Sequence, residues 1–143
     1  MAEKHEFLTP LEMLPKTSAG GAVAIAVAPV NVIPILGTWK NVNTKTPNLV
    51  QVIVTEKGTQ TMVHLFGACV PTPCDWGTVP AMVYAPTVTA TEADGFTAAY
   101  KFNFKTVIVT GHLEGAQLIV ETFNHFTDNS GRTDYYFKDV MHK

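Results

Sequence analysis

The sequence predicts an all-β chain: a closed antiparallel barrel of about eight strands, preceded by a short N-terminal helix and an extended arm. Three observations carry this expectation. Runs of alternating apolar and polar residues recur at short intervals from residue 35 onward. Clusters of Gly, Pro, Asn and Asp separate them. Charge is scarce, at 15% of residues against roughly 25% in ordinary domains. A sheet so poor in charge would expose sticky edges, and closure removes edges altogether.

At 143 residues the chain has the length of one domain. It divides into an N-terminal helix and apolar arm over 1–34 and a β-barrel domain over 35–143. Hydrophobic residues make up 46%, which excludes a disordered chain. Ten Lys plus Arg against twelve Asp plus Glu leave a net charge of -2, with no basic face for nucleic acid. No apolar run reaches the roughly 20 residues of a membrane helix, so no membrane partner is expected.

Thr9-Pro10-Leu11-Glu12 reads as a capping box with proline at the first helical position. Pro15 ends that helix after little more than a turn. Phe7, Leu8, Leu11 and Leu14 form an apolar knob that plugs a core or docks on another subunit. After the Gly20-Gly21 joint, Val23, Ile25 and Val27 alternate with alanines. Such a strand, apolar on both sides, inserts into a sheet or packs in an oligomer, so a homo-oligomer built through the arm is expected.

The barrel strands are predicted at 35–43, 48–56, 60–68, 77–84, 96–104, 106–113, 117–126 and 133–141. Turns lie at 44–47, Lys57-Gly58, 71–73, 86–95, Glu114-Gly115 and Asp128-Asn129-Ser130-Gly131. In the fifth strand Phe96, Tyr100, Phe102 and Phe104 share one face, with Lys101, Asn103 and Lys105 opposite. In the third, Met62, His64 and Phe66 oppose Val63 and Leu65. In the seventh, Ile119, Glu121, Phe123 and His125 oppose Leu118, Val120, Thr122 and Asn124.

Cys69 and Cys74 flank Val70-Pro71-Thr72-Pro73. One such pair does not make a zinc knuckle. A tight disulfide is geometrically open, although two prolines stiffen the loop and work against it. Residues 1–16 hold three Glu and two Lys before any apolar run, a poor signal-peptide start. A cytoplasmic chain with reduced thiols is therefore expected.

Gly37-Thr38-Trp39 resembles the G-x-W entry of the calycin superfamily, the lipocalins and avidins, and Lys40-Asn41 with the hairpin after it is most similar to the avidin start. The resemblance implies a barrel whose base is closed by Trp39. It also implies a cation from a late strand over that ring, which here would be Arg132, the sole arginine. The avidin set of stacking tryptophans is missing, since Trp76 is the one other tryptophan, so biotin binding is not implied. The stretches 64–77 and 123–136 also resemble a recurrent small bacterial β-domain.

The ligand-binding candidates follow from the aromatic stripe. Tyr100, Phe102 and Phe104, with Phe66 and His64, would line the lumen and take a small apolar or aromatic molecule, or else fill the core. Asp75 and Trp76, in the idiosyncratic stretch between Phe66 and Gly77, would present themselves at a barrel mouth or serve a rigid turn; Tyr135 joins the candidates near the last strand. The catalytic candidates are Glu121, His64 and His125. Glu121 lies between Ile119 and Phe123 on its face, where a buried carboxylate would need Arg132 or a histidine as partner, or would be a structural ion pair. His64, His112 and His125 sit in strands, and Glu121 and His125 are about 13 Å apart along one strand, too far to share a metal. No metal or cofactor is expected. No serine elbow, P-loop, dinucleotide fingerprint or zincin helix is present. The function expected is small-molecule binding. The alternatives are a cofactor-independent cyclase, isomerase or lyase acting inside the barrel, and an oligomeric assembly module.

Overall fold

The computed structural model describes residues 30–143. The expected helix and most of the arm lie outside these residues. Eight strands follow in order: β1 (Gly37–Asn41), β2 (Leu49–Lys57), β3 (Gln60–Gly67), β4 (Cys74–Tyr84), β5 (Gly95–Lys101), β6 (Lys105–Glu114), β7 (Gln117–Phe126) and β8 (Tyr135–His142). Each pairs antiparallel with its neighbour, and β8 returns to β1, closing the barrel. Among the described residues no helix is long and apolar enough to cross a membrane.

The connections alternate between two ends. Those at 58–59, 85–94 and 115–116 lie at the base; those at 42–48, 68–73, 102–104 and 127–134 lie at the mouth. The base is covered by the segment before β1. Asn31 bridges to Glu92, a 3₁₀ turn spans Ile33–Ile35, and Val32 and Ile35 are buried. Trp39 closes the base from within, its indole N–H donating to the Ile35 carbonyl at 2.9 Å. The first strand therefore starts two residues later than the expected 35. Pro34 carries no N–H for a ladder, and the turn it opens delays the strand.

Alternation turns one face of every strand inward. Val52, Val54, Val63, Leu65, Phe96, Val107, Val109, Leu118, Val120 and Met141 fill the interior and are fully buried. An eight-stranded barrel is just wide enough for such filling. Gly111 makes room for the largest of these side chains, since a Cβ there would lie 2.2 Å from the Phe96 ring.

The β3–β4 ladder contains a bulge: His64 pairs with Thr78 and Phe66 with Asp75, so Leu65 faces both Trp76 and Gly77. The ladder continues to Gly67↔Cys74, so β4 begins before the expected residue 77. The same continuation brings the Cα atoms of Cys69 and Cys74 to 5.3 Å, and their sulfurs are bonded. The expectation of reduced thiols is corrected here. The prolines sit in the loop that the bridge closes and do not hold the cysteines apart.

The fifth expected strand, 96–104, is also corrected. β5 ends at Lys101, and a tight turn at Asn103-Phe104 follows, closed by the Phe102 amide donating to the Lys105 carbonyl at 2.8 Å. Directly opposed residues in an antiparallel pair share a face. Lys105 therefore points inward with Phe102, not outward with Lys101 as unbroken alternation requires.

Candidate functional site

The mouth gathers aromatic rings from four separate stretches of chain. Trp76 comes from the bulged start of β4, Tyr100 from β5, Phe102 and Phe104 from the β5–β6 turn, and Tyr135 from the start of β8. Trp76 meets Tyr100 and Phe102 edge-on at 5.5 and 5.3 Å. Phe102 stacks on Tyr100 at 5.8 Å and on Phe104 at 6.0 Å. Gly67 lets the indole approach, because a Cβ there would fall 2.8 Å from the Trp76 Nε1. The Tyr100 hydroxyl donates to the Gly77 carbonyl at 2.7 Å, tying the cluster to the bulge. Burial raises the Tyr100 phenol above its ordinary value.

Lys105 stands among these rings. Its Nζ lies 5.3 Å from the centroid of Trp76, 6.0 Å from Phe102, 5.6 Å from Phe104 and 5.9 Å from Tyr135. These are cation–π distances. It donates to the Asn124 side-chain oxygen at 2.9 Å, and the residue is 9% exposed. Burial, and secondarily the charge of Arg132, lower the Lys105 ammonium below the ordinary lysine value. Phe104 and Tyr135 are each 41% exposed and form the rim.

Arg132 belongs to this end. Its guanidinium is 4.2 Å from the Phe126 ring and 5.4 Å from Phe104, and it pairs with Asp128 at 2.7 Å and Ser130 Oγ at 3.0 Å. The implied Trp39–Arg132 closure is therefore not formed. Arg132 lies in the β7–β8 connection at the mouth while Trp39 lies at the base, and Lys143 covers the indole at 4.8 Å instead.

Of the expected ligand-binding residues, Trp76, Tyr100, Phe102, Phe104 and Tyr135 meet at the mouth. They do not line an open lumen, because aliphatic side chains occupy it. Phe66 and Asp75 lie outside. Alternation that turns Trp76 inward turns Asp75 outward, where its carboxylate contacts His64 Nε2 at 2.5 Å and accepts from the Gly77 amide at 2.7 Å. His64 in turn stacks on Phe66 at 4.3 Å. The hydrogen bond from His64 holds Asp75 below the usual carboxylate value.

The catalytic candidates do not converge. His64 is on the outer face of β3, and His125 is on the outer face of β7, paired with Asp134 at 2.7 Å. Glu121 also faces outward, opposite Thr110 and Lys138 in register. Its face is the barrel's outer wall, so Ile119 and Phe123 do not enclose it in a pocket. Among the described residues no group of three or more His, Cys, Asp or Glu side chains is placed to hold a metal.

One buried polar centre escaped the sequence reading. Asp139, 3% exposed, accepts hydrogen bonds from Asn41 Nδ2 at 2.7 Å, Thr46 Oγ1 at 2.8 Å, Asn48 Nδ2 at 2.8 Å and the Leu49 amide at 3.2 Å. Four donors saturate a carboxylate, so this centre pins the β1–β2 connection to β8 and leaves no lone pair for a ligand. Two hollows lie away from the mouth. One of about 490 Å³ lies between Val30, Val32, the β2–β3 turn and Ala81–Tyr84; the other, about 550 Å³, lies beside Trp39, Leu113 and Lys143.

Comparison with protein-family models, with curated proteins and with solved structures yields no match.

Proposed function

We propose that the chain is a calycin-like binding barrel for a small apolar or aromatic molecule, seated at the mouth on Trp76, Phe102, Phe104 and Tyr135. The single observation that supports this is the convergence of these rings, from three distant parts of the chain, with two of them left at the rim. Rings that only filled a core would be covered. The interior is packed, so the ligand rests on the rim rather than within the lumen. Disulfides persist in oxidising surroundings, so a cytoplasmic location forms no part of this reading.

The test is thermal denaturation and Trp76 fluorescence against 2-naphthalenemethanol and 2-naphthoate. Binding raises the Tm saturably, and Phe104→Ala removes the rise, while Glu121→Gln leaves it intact. No saturable shift with either ring compound overturns the reading. An enzyme acting inside the barrel has less support, since its candidate acids and bases face outward.

Assembly is a second reading, favoured by a specific band on the outer wall. Ile108, Phe123 and Tyr136 are adjacent in register across β6, β7 and β8, and all three are exposed. A second copy would cover them. Light scattering on Phe123→Glu checks this: a particle that keeps its mass rules out that band as the contact. Most of the arm lies outside the described residues, and deleting 1–29, which keeps the Asn31–Glu92 bridge and the buried Val32, tests its part in assembly in the same measurement.

A further inference from the structure

The mouth is more specific than a greasy surface, because a cation stands in it without a counter-ion among the described residues. Lys105 is nine-tenths buried, yet among the described residues no carboxylate lies within salt-bridge distance of its Nζ. Its one hydrogen-bond acceptor is the neutral amide of Asn124. An ammonium has three N–H groups, so two are without an acceptor among the described residues. Aromatic faces compensate a buried ammonium weakly compared with an anion. The second cation nearby, Arg132, is already held by Asp128 and Ser130. Among the described residues, the uncompensated charge at the mouth is thus a single positive one.

We infer that the mouth binds a planar aromatic monocarboxylate, its carboxylate on the two open N–H groups of Lys105 and its ring against Phe104 and Tyr135. This rests on the binding reading above and adds the charge and shape of the ligand. One cation matches a monoanion; a phosphate dianion would leave one charge unpaired in an aromatic setting. Rim rings at 41% exposure offer stacking faces that an aliphatic acid cannot use fully.

Titration calorimetry of the full chain with three probes tests this. They are 2-naphthoate, the neutral 2-naphthalenemethanol of the same ring system, and cyclohexanecarboxylate. The expected result is 2-naphthoate binding at least tenfold tighter than either of the others, with that margin lost in Lys105→Met. Methionine keeps an apolar stem in the cage and removes the charge. Equal affinity for naphthoate and the alcohol overturns the role of Lys105 and leaves the binding reading standing. Equal affinity for the two acids overturns the aromatic requirement. Absence of binding by both ring compounds overturns the reading beneath. The wild-type comparison decides the matter even if Lys105→Met fails to fold.

Discussion

Phe102 and Lys105 close the β5–β6 hairpin as opposed residues, and both side chains therefore enter the barrel mouth. A charged residue is placed among rings by the geometry of a turn, five residues after the last interior ring of β5, Tyr100. The cost of holding it there sets the first expectation.

Because burial lowers the Lys105 ammonium, the unfolded chain holds its proton to a higher pH than the folded chain does. Between the lowered value and the ordinary 10.5, the unfolded state binds more protons, so stability rises with pH. Tyr100 acts in the opposite sense. Its raised phenol keeps its proton in the folded state while the unfolded chain loses it near 10.0, so stability falls above that point. Urea denaturation from pH 7 to 11 should show a rise and then a fall. Lys105→Met should remove the rising limb.

Asp139→Asn should destabilise the chain by about 3 kcal/mol, because it sets an amide N–H₂ against donors that need a carboxylate. Urea midpoints at pH 7 measure this. Loss of less than ~0.5 kcal/mol would show that the four hydrogen bonds to Asp139 do not brace the fold.

Gly111→Ala should cost about 1–3 kcal/mol or more through overpacking against Phe96. The double variant with Phe96→Leu should recover part of that loss. A double-mutant cycle separates this clash from an effect of the backbone alone.

Opening the Cys69–Cys74 bridge by Cys69→Ser with Cys74→Ser should cost about 2 kcal/mol, as expected for so short a loop. The bridge anchors the chain two residues before Trp76, so the indole emission should change with it. Guanidinium denaturation and the fluorescence of a Trp39→Phe background report the two effects.

The alternation of residues and the placement of turns made the barrel readable. The turns expected at Lys57-Gly58 and Glu114-Gly115 fall one residue later, on Gly58 and Gly115 with the residue after each, and Leu118, Val120, Thr122 and Asn124 share the inner face. Parity fails wherever the backbone slips by a residue, as at Phe102–Lys105, and a short turn hidden within an apolar run leaves no sign in composition. Asp139 was illegible for another reason. Its donors Asn41, Thr46 and Asn48 lie more than ninety positions away, and closure of the barrel, not local pattern, brings them together. Arg132 was paired with Trp39 by the resemblance alone; the alternation of connections in an up-and-down barrel already puts the β7–β8 connection at the end opposite to the start of β1. Trp76, Tyr100, Phe102, Phe104 and Tyr135 do come together at the mouth, whereas Phe66, added as part of the aromatic stripe, and Asp75, added as the neighbour of Trp76, face outward.

β1 meets β8 at Lys40–His142 and Asn41–Met141, with one more bond from the Val42 amide to the Val140 carbonyl, whereas β6 and β7 are paired along their whole length. A cylinder with one short join opens there first under thermal agitation, and Asn41, gripping Asp139 across the join, works as its clasp. Amide exchange should accordingly be fastest along that line, and any passage of a guest deeper than the rim would begin with the clasp letting go.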